Sequence, residues 1–142
     1  MDRTVTVRVA RRVAAAPERA FDAWLDPALA GKFLFATPTG QMIKVEIDAK
    51  VGGRFNFTDR RPDMGDVEHV GEYLEIDRPR RLVFTFAVPK FSDQSSTVAL
   101  DFAPAPGGGA DITLTHDGVL EDYAQRTEAG WGGILDRLNQ LV

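Results

Sequence analysis

The sequence predicts an α+β fold in which a seven-stranded antiparallel sheet curves around one long C-terminal helix, with two short helices after the first strand. Stretches in which apolar residues occupy every second position are typical of half-buried strands, and they recur along the chain. At the C-terminus the apolar spacing changes to three and four, which indicates a helix. Strands and helices do not alternate, so the sheet should be antiparallel. Because one helix cannot cover so many strands laid flat, we expect the sheet to curl around it.

The first third of the chain predicts one strand followed by two short helices. In TVTVRVARRV, valines alternate with polar residues, as in a half-buried strand. Pro17 is placed to begin a helix, since its missing N–H is no loss in the first turn. Phe21 and Trp24 form the apolar side of this helix. Asp26 and Pro27 end it, and a second short helix follows.

Six further strands are expected as three hairpins. The first hairpin turns at Gly52-Gly53, and the second turns at residues 77–80. The third consists of STVALDFAP and ADITLTHDG, joined by APAPGGG, a flexible linker to which we assign no further role. The long helix is expected from Asp122 onward, and residues 1–142 are expected to form a single domain.

The composition restricts the class of function. Of the 142 residues, 44% are hydrophobic and none is cysteine, which excludes disulfides, thiolate nucleophiles and zinc sites built on sulfur. A net charge of −4 argues against nonspecific binding to nucleic acid. No apolar run approaches the roughly 18 residues of a membrane span, and the alternating N-terminus is unlike a signal peptide. These features favour a cytoplasmic protein.

Three glycines interrupt the predicted C-terminal helix around Trp131. Gly130, Gly132 and Gly133 each cost a helix interior about 1 kcal/mol relative to alanine. Two interpretations are open. The missing side chains either let the helix approach the sheet closely, with a mild kink, or leave a hollow between helix and sheet that admits a ligand.

Five stretches resemble a known family in their order and spacing, across nearly the whole chain: AAAPERAFDAWLDPALAGKF, VGGRFNF, GEYLEIDRPRRLVFTF, LTHDGV and GWGGILDRLNQL. The chain is similar to the helix-grip, START-like superfamily, also called SRPBCC and typified by the birch pollen allergen. Within it, the sequence resembles the homologues of the activator of heat-shock protein 90 ATPase. The resemblance implies the fold. It does not choose a function, because the superfamily includes lipid and hormone carriers, polyketide cyclases, ring-hydroxylating oxygenase domains and chaperone partners.

Aromatic side chains far outnumber the polar candidates for a pocket. We therefore expect a cavity between the sheet and the C-terminal helix that binds a small hydrophobic or aromatic molecule, with no cofactor and no catalytic residue. The resemblance implies that the loop carrying Phe33 and Phe35 lies beside the entrance. The residues expected to line the cavity are Phe33, Phe35, Phe55, Phe57, Tyr73, Phe84, Phe86, Leu100, Leu114, His116, Trp131 and Leu135.

Two other functions are kept as alternatives. The first is an enzyme of the cyclase or dehydratase type, in which His116, Glu72 or Glu75 moves a proton. A pocket residue with a perturbed pKa would favour it. The second is a protein-interaction module, a stress-response or chaperone partner. A filled interior and an exposed apolar patch would favour that one.

His116 is the first polar candidate for the cavity. It shares strand parity with Leu114, so it faces the cavity if Leu114 does. There it either contacts a ligand or anchors the end of its strand to the following turn. Both roles are compatible with the sequence.

His69 is the second polar candidate, and its orientation is open. It shares parity with Gly71 and Tyr73. The other face of the strand carries an aliphatic set, Val70, Leu74 and Ile76. The aliphatic set is the simpler inward candidate. The resemblance, however, implies that the set with Tyr73 lies near the pocket.

Metal and anion sites receive little support from the sequence. Neither histidine has the spacing HxH, HxxxH or HExxH, so no metal site is predicted. The arginines cluster in the turns RRPD and RPRR. They either form solvated turns that also discourage strand edges from pairing, or contact an acidic partner or an anionic group of a ligand.

Overall fold

A seven-stranded sheet and a long C-terminal helix organise the structure, a computed structural model that describes residues 3–37, 39–92 and 94–142. The strands are β1 (Thr4–Val13), β2 (Gln41–Ile47), β3 (Arg54–Arg61), β4 (Gly65–Asp77), β5 (Arg81–Phe86), β6 (Ser96–Pro104) and β7 (Ala110–Leu120). The helices are α1 (Pro17–Ala23), α2 (Pro27–Phe33) and α3 (Ala124–Leu141).

Neighbouring strands of the sheet are antiparallel, in the order β1-β7-β6-β5-β4-β3-β2. The first strand therefore lies beside the last, and β2 to β7 follow one another as in a meander. Helix α3 packs against β1 and β7, α1 packs on β6 and β7, and α2 lies against β2 and α3. The sheet curves around α3, so the predicted α+β helix-grip fold is confirmed.

The local sequence explains the first three elements. Strand β1 buries Val7, Val9 and Val13, as its alternation predicts. Helices α1 and α2 both begin with a proline in the first turn. At the start of α2, the Asp26 carboxylate accepts a hydrogen bond of 3.0 Å from the Ala28 backbone N–H, which caps the helix.

The connections lie close to the predicted positions. Strands β2 and β3 are joined through Gly52-Gly53, and Gly52 has a φ of 86°, which glycine adopts without strain. Residues 78–80 join β4 to β5, and the Arg78–Pro79 peptide bond is cis. Helix α3 begins at Ala124 after a 3-10 turn over Glu121–Tyr123, slightly later than predicted. The predicted linker between β6 and β7 includes a second 3-10 turn.

The arginine-rich turns form ion pairs on the surface. Arg60 lies 2.8 Å from Asp66, and Arg78 lies 2.7 Å from Asp22. Such exposed pairs contribute little to stability. Within residues 3–37, 39–92 and 94–142, the helices lack the combination of length and apolar character that a membrane span requires.

Candidate functional site

The interior between the sheet and the helices is packed with side chains. Phe55, Phe57, Tyr73 and Phe84 surround a void of only about 10 Å³. A void of this size holds at most one water molecule. The core therefore has no room for a ligand beside these four residues.

A space larger than this void lies between the middle of α3 and the mouth of the curved sheet. This pocket has a volume of about 350 Å³ and opens to solvent. Its sheet side is formed by Phe35, His69 and Phe86. Its helix side is formed by one face of α3, where Trp131 and Ile134 supply the apolar surface. A hollow between helix and sheet is therefore present, but at the rim of the fold.

Three parallel rings form the sheet side of the pocket. The Phe35 ring stacks across the neighbouring rings of His69 and Phe86, with centroid distances of 4.7 and 5.0 Å and interplanar angles of 7° and 5°, and the His69 and Phe86 centroids are 6.2 Å apart. The Trp131 ring approaches Phe35 and Phe86 nearly edge-on, at 5.8 and 6.0 Å. Stacked and edge-to-face arrangements of this kind are the favourable geometries for aromatic pairs. The result is a flat aromatic surface closed on one side by an indole.

Phe35 reaches this position through an unusual backbone conformation. Its φ is 61°, a left-handed value that costs a bulky residue of order 1–3 kcal/mol. The side chain is 7% exposed and stacks on two neighbouring rings. The packing of Phe35 therefore offsets the strain of its backbone.

The three helix glycines have different environments, so each interpretation of them applies to part of the set. Gly130 and Gly133 line the pocket. Gly132 is buried on the side that faces β1, where a Cβ would lie 2.7 Å from Nη2 of Arg11. The close-approach interpretation therefore holds for Gly132, and the hollow lies beside Gly130 and Gly133.

Gly130→Ala is expected to raise the free energy of unfolding by up to about 1 kcal/mol, because alanine is the better helix former and no atom lies within 4 Å of the added Cβ. Urea denaturation measures the change. Gly132→Ala is the control, and we expect a smaller gain because Arg11 must move. A loss of stability in Gly130→Ala would show that this glycine serves the packing of the helix.

His116 connects the helix to the sheet behind the pocket wall. The Trp131 indole N–H donates to Nδ1 of His116 over 3.0 Å, so Nδ1 is the acceptor and the ring hydrogen is on Nε2. Nε2 then donates to the Ser96 hydroxyl at 2.6 Å, and that hydroxyl donates to the Phe86 carbonyl at 3.2 Å. This chain of hydrogen bonds fixes the Trp131 ring. It differs from both roles suggested by the sequence, ligand contact and an anchor to the following turn.

Both histidines are held in the neutral form. Burial lowers the pKa of His116 to about 4, although the nearby Asp117 charge acts in the opposite direction. Burial also lowers the pKa of His69, against the opposing effect of its hydrogen bond to the Phe57 carbonyl (Nδ1 to O, 3.1 Å). Near pH 7, the pocket therefore has a neutral imidazole in its aromatic wall.

Strand β4 shows which of its residues face inward, a question that the sequence leaves open. His69 and Tyr73 are buried, whereas Leu74 is 45% exposed. A register shift between Tyr73 and Glu75 in the pairing with β5 changes the alternation, and Ile76 beyond it packs against the core. Neither predicted face is therefore buried along the whole strand.

Two arginines lie at the pocket rim, and their hydrogen-bond partners differ. Arg61 donates from Nε to the buried Asp59 carboxylate over 3.0 Å, and Thr37 donates to the same carboxylate at 2.9 Å. Among the described residues, Arg137 donates only to backbone carbonyls, those of Phe33 (3.2 and 3.3 Å) and Ala36 (3.3 Å). These bonds hold the segment that carries Phe35.

The structure separates the residues that the sequence placed in the cavity into three groups. Phe35, Phe86 and Trp131 line the pocket. His116 lies behind Trp131 and does not line it. The residues packed in the core are Phe33, Phe55, Phe57, Tyr73, Phe84, Leu100, Leu114 and Leu135. Glu72 and Glu75, the alternative proton carriers, also lie outside the pocket.

Arg137 lines the pocket but was not among the residues expected there. It lies four positions after Gly133, so both occupy the same face of α3, and this spacing was a usable signal. His69 was considered, but its orientation depended on an irregularity that the strand pattern does not reveal. Among the described residues, no group of three or more histidine, aspartate or glutamate side chains is placed to hold a metal ion.

Solved structures share this fold. Protein CV1439 from Chromobacterium violaceum is 28% identical over 96% of each chain, with a TM-score of 0.86. The AHSA1-like protein from Aeromonas hydrophila is 25% identical over 96% of this chain and 90% of that chain, with a TM-score of 0.79. Protein SA2116 from Staphylococcus aureus, at 16% identity, has a TM-score of 0.85 over 98% of this chain and 93% of its own, and supports the fold alone.

A family model matches most of the chain. Residues 14–142 match the model described as Activator of Hsp90 ATPase homolog 1-like protein. No curated protein matches the sequence. The match agrees with the element order and with the resemblance carried by the five sequence stretches. The chain belongs to the Activator of Hsp90 ATPase homolog 1-like family.

Proposed function

We propose that this protein binds a small aromatic or hydrophobic molecule in the pocket between α3 and the mouth of the sheet. The observation that carries the proposal is the aromatic lining that Phe35, Phe86 and Trp131 give to an open pocket of about 350 Å³. Apolar pockets of roughly 300–1,000 Å³ are the usual size for small-molecule sites. The surface is held in place by His116 and needs no rearrangement of the core.

Burial of apolar ligand surface supplies the binding energy. About 200 Å² of buried surface contributes roughly 5 kcal/mol at 25 cal/mol per Å², and the ordering of the ligand opposes it. The stacked rings of Phe35 and Phe86 favour a planar ligand, since offset stacking adds to simple burial. We therefore expect modest affinity and a preference for flat molecules over flexible chains.

A change at Gly133 tests the proposed location. A Cβ at this position would lie 3.6 Å from Nη1 of Arg137, an ordinary contact, so a larger side chain can enter the pocket without disturbing the helix. Gly133→Leu should therefore fold normally and weaken binding of the neutral fluorophore N-phenyl-1-naphthylamine by at least about tenfold. Fluorescence titration measures the affinity.

The matched control is Gln140→Leu, which adds a leucine to an exposed position of the same helix. We expect this variant to bind the fluorophore as the wild type does. Equal affinity of Gly133→Leu and the wild type would place the bound fluorophore elsewhere and contradict the proposal. Circular dichroism of both variants establishes that the comparison is made between folded proteins.

A protein-interaction role is the second candidate function, and the packed interior favours it. The void among Phe55, Phe57, Tyr73 and Phe84 is too small for a ligand. If the folded wild type does not bind the neutral fluorophore, the aromatic surface at the pocket is better explained as a contact for a partner protein.

A further inference from the structure

We infer that the ligand is an aromatic anion whose negative group binds Arg137. The inference rests on the proposed function, because it names the chemical class of molecule that the same pocket takes.

Arg137 has donor capacity that faces the pocket. Its Nε and Nη2 atoms donate to the carbonyls of Phe33 and Ala36, which fixes the plane of the guanidinium group. Nη1 makes no hydrogen bond to the described residues, and it lies on the side where Gly133 has no side chain. The N–H groups of Nη1 are therefore oriented beside the hollow and are available to an acceptor there.

The positive charge of Arg137 has no carboxylate partner in the described part of the chain. Among residues 3–37, 39–92 and 94–142, no carboxylate oxygen lies within 4.0 Å of its guanidinium nitrogens. The other rim arginine, Arg61, is paired with the buried Asp59 at 3.0 Å. Since the histidine in the wall, His69, is held neutral, the described lining of the pocket carries one positive charge that no described carboxylate pairs with. This arrangement stands out in a chain whose net charge is −4.

The position of this charge complements a particular shape of ligand. Arg137 lies nearly two turns after Trp131 on α3, and both line the pocket, so a planar ring against Phe86 and Trp131 can direct a substituent along the helix toward Arg137. Guanidinium groups bind carboxylates, sulfonates and phosphates through charge-assisted hydrogen bonds. The pocket therefore fits a small aromatic molecule with one such group better than a neutral lipid or a cationic amine.

Two fluorophores that share one ring system test the inference. They are N-phenyl-1-naphthylamine, which is neutral, and 1-anilinonaphthalene-8-sulfonate, which adds a sulfonate. The measured quantity is the ratio of their affinities for each protein. Arg137→Gln should lower the preference for the sulfonate about tenfold, because a charge-assisted hydrogen bond is lost. Arg137→Lys, which keeps the charge, should retain most of the preference.

Arg80→Gln is the matched control. It removes the same charge from an exposed turn between β4 and β5, and the Arg80 side chain is 74% exposed. We expect its affinity ratio to equal that of the wild type. If the control and Arg137→Gln give the same ratio, the contribution of Arg137 is refuted.

Salt dependence provides a second test that needs no variant. Binding of the sulfonate to the wild type should weaken when salt is raised from 0.05 M to about 1 M, whereas binding of the neutral fluorophore should not. Equal salt responses would overturn the inference even if Arg137→Gln does not fold. If the neutral fluorophore binds and the sulfonate has no salt-sensitive advantage, the inference fails while the proposed function stands. If neither binds, both fail.

Discussion

Trp131→Ala is expected to lower the free energy of unfolding by about 4 kcal/mol, within the usual 3–5 kcal/mol for truncation of a buried tryptophan. Trp131 is 3% exposed and lies between the aromatic wall and the hydrogen-bonded His116. Its removal leaves a cavity and takes away the hydrogen-bond donor for Nδ1 of His116. Chemical denaturation of the variant and the wild type at pH 7 measures the difference.

Trp131→Phe separates the loss of packing from the loss of the hydrogen bond to His116. It keeps an aromatic ring and removes the indole N–H, which should cost about 1–3 kcal/mol because Nδ1 of His116 is left buried without its donor. A loss below about 1 kcal/mol in Trp131→Ala would show that this indole does not hold α3 on the sheet. A loss in Trp131→Phe equal to that in Trp131→Ala would assign the whole effect to the hydrogen bond.

Acidification is expected to destabilise the protein through His116. The folded protein binds the proton at His116 only near pH 4, whereas the unfolded chain binds it near pH 6.5. Between these values the unfolded state holds more protons, so stability is complete above about pH 7 and falls as the pH drops from 6.5 toward 4. With 1.36 kcal/mol for each pH unit, the loss attributable to His116 is about 3 kcal/mol.

His116→Gln tests this assignment. Glutamine supplies an acceptor for Trp131 and a donor for Ser96, but it does not titrate. Between pH 6.5 and 4, the free energy of unfolding of this variant should therefore fall by about 3 kcal/mol less than that of the wild type. The pH dependence that remains belongs to His69 and the carboxylates. Parallel stability profiles of the two proteins would contradict the neutral, hydrogen-bonded His116.

Much of the fold could be predicted because strand and helix periods are local properties of the sequence. The alternating valines of β1 and the three-and-four spacing of α3 each specify an element and its buried face. The exception is β4, where the shift after Tyr73 changes which residues face inward. An irregularity of this kind depends on the neighbouring strand and not on the pattern of β4 alone.

The position of the pocket could not be predicted from the sequence. Counting aromatic residues indicated an apolar interior, but it does not reveal whether the rings fill that interior. Phe55 and Phe84 fill it, whereas Phe86 and Trp131 border open space. Phe35 also borders the pocket, and the resemblance placed its loop beside the entrance, but the left-handed backbone that carries it there is one a phenylalanine rarely adopts.

The measurement that tests the central claim most directly is a titration followed through the two tryptophan indole N–H signals by ¹H–¹⁵N NMR. Trp131 lines the pocket, and Trp24 borders the small void in the core, so each indole reports on one of the two spaces. Addition of N-phenyl-1-naphthylamine should shift the Trp131 signal in proportion to binding and leave the Trp24 signal in place. A shift confined to Trp24, or no shift at either indole, would contradict a ligand site between α3 and the mouth of the sheet.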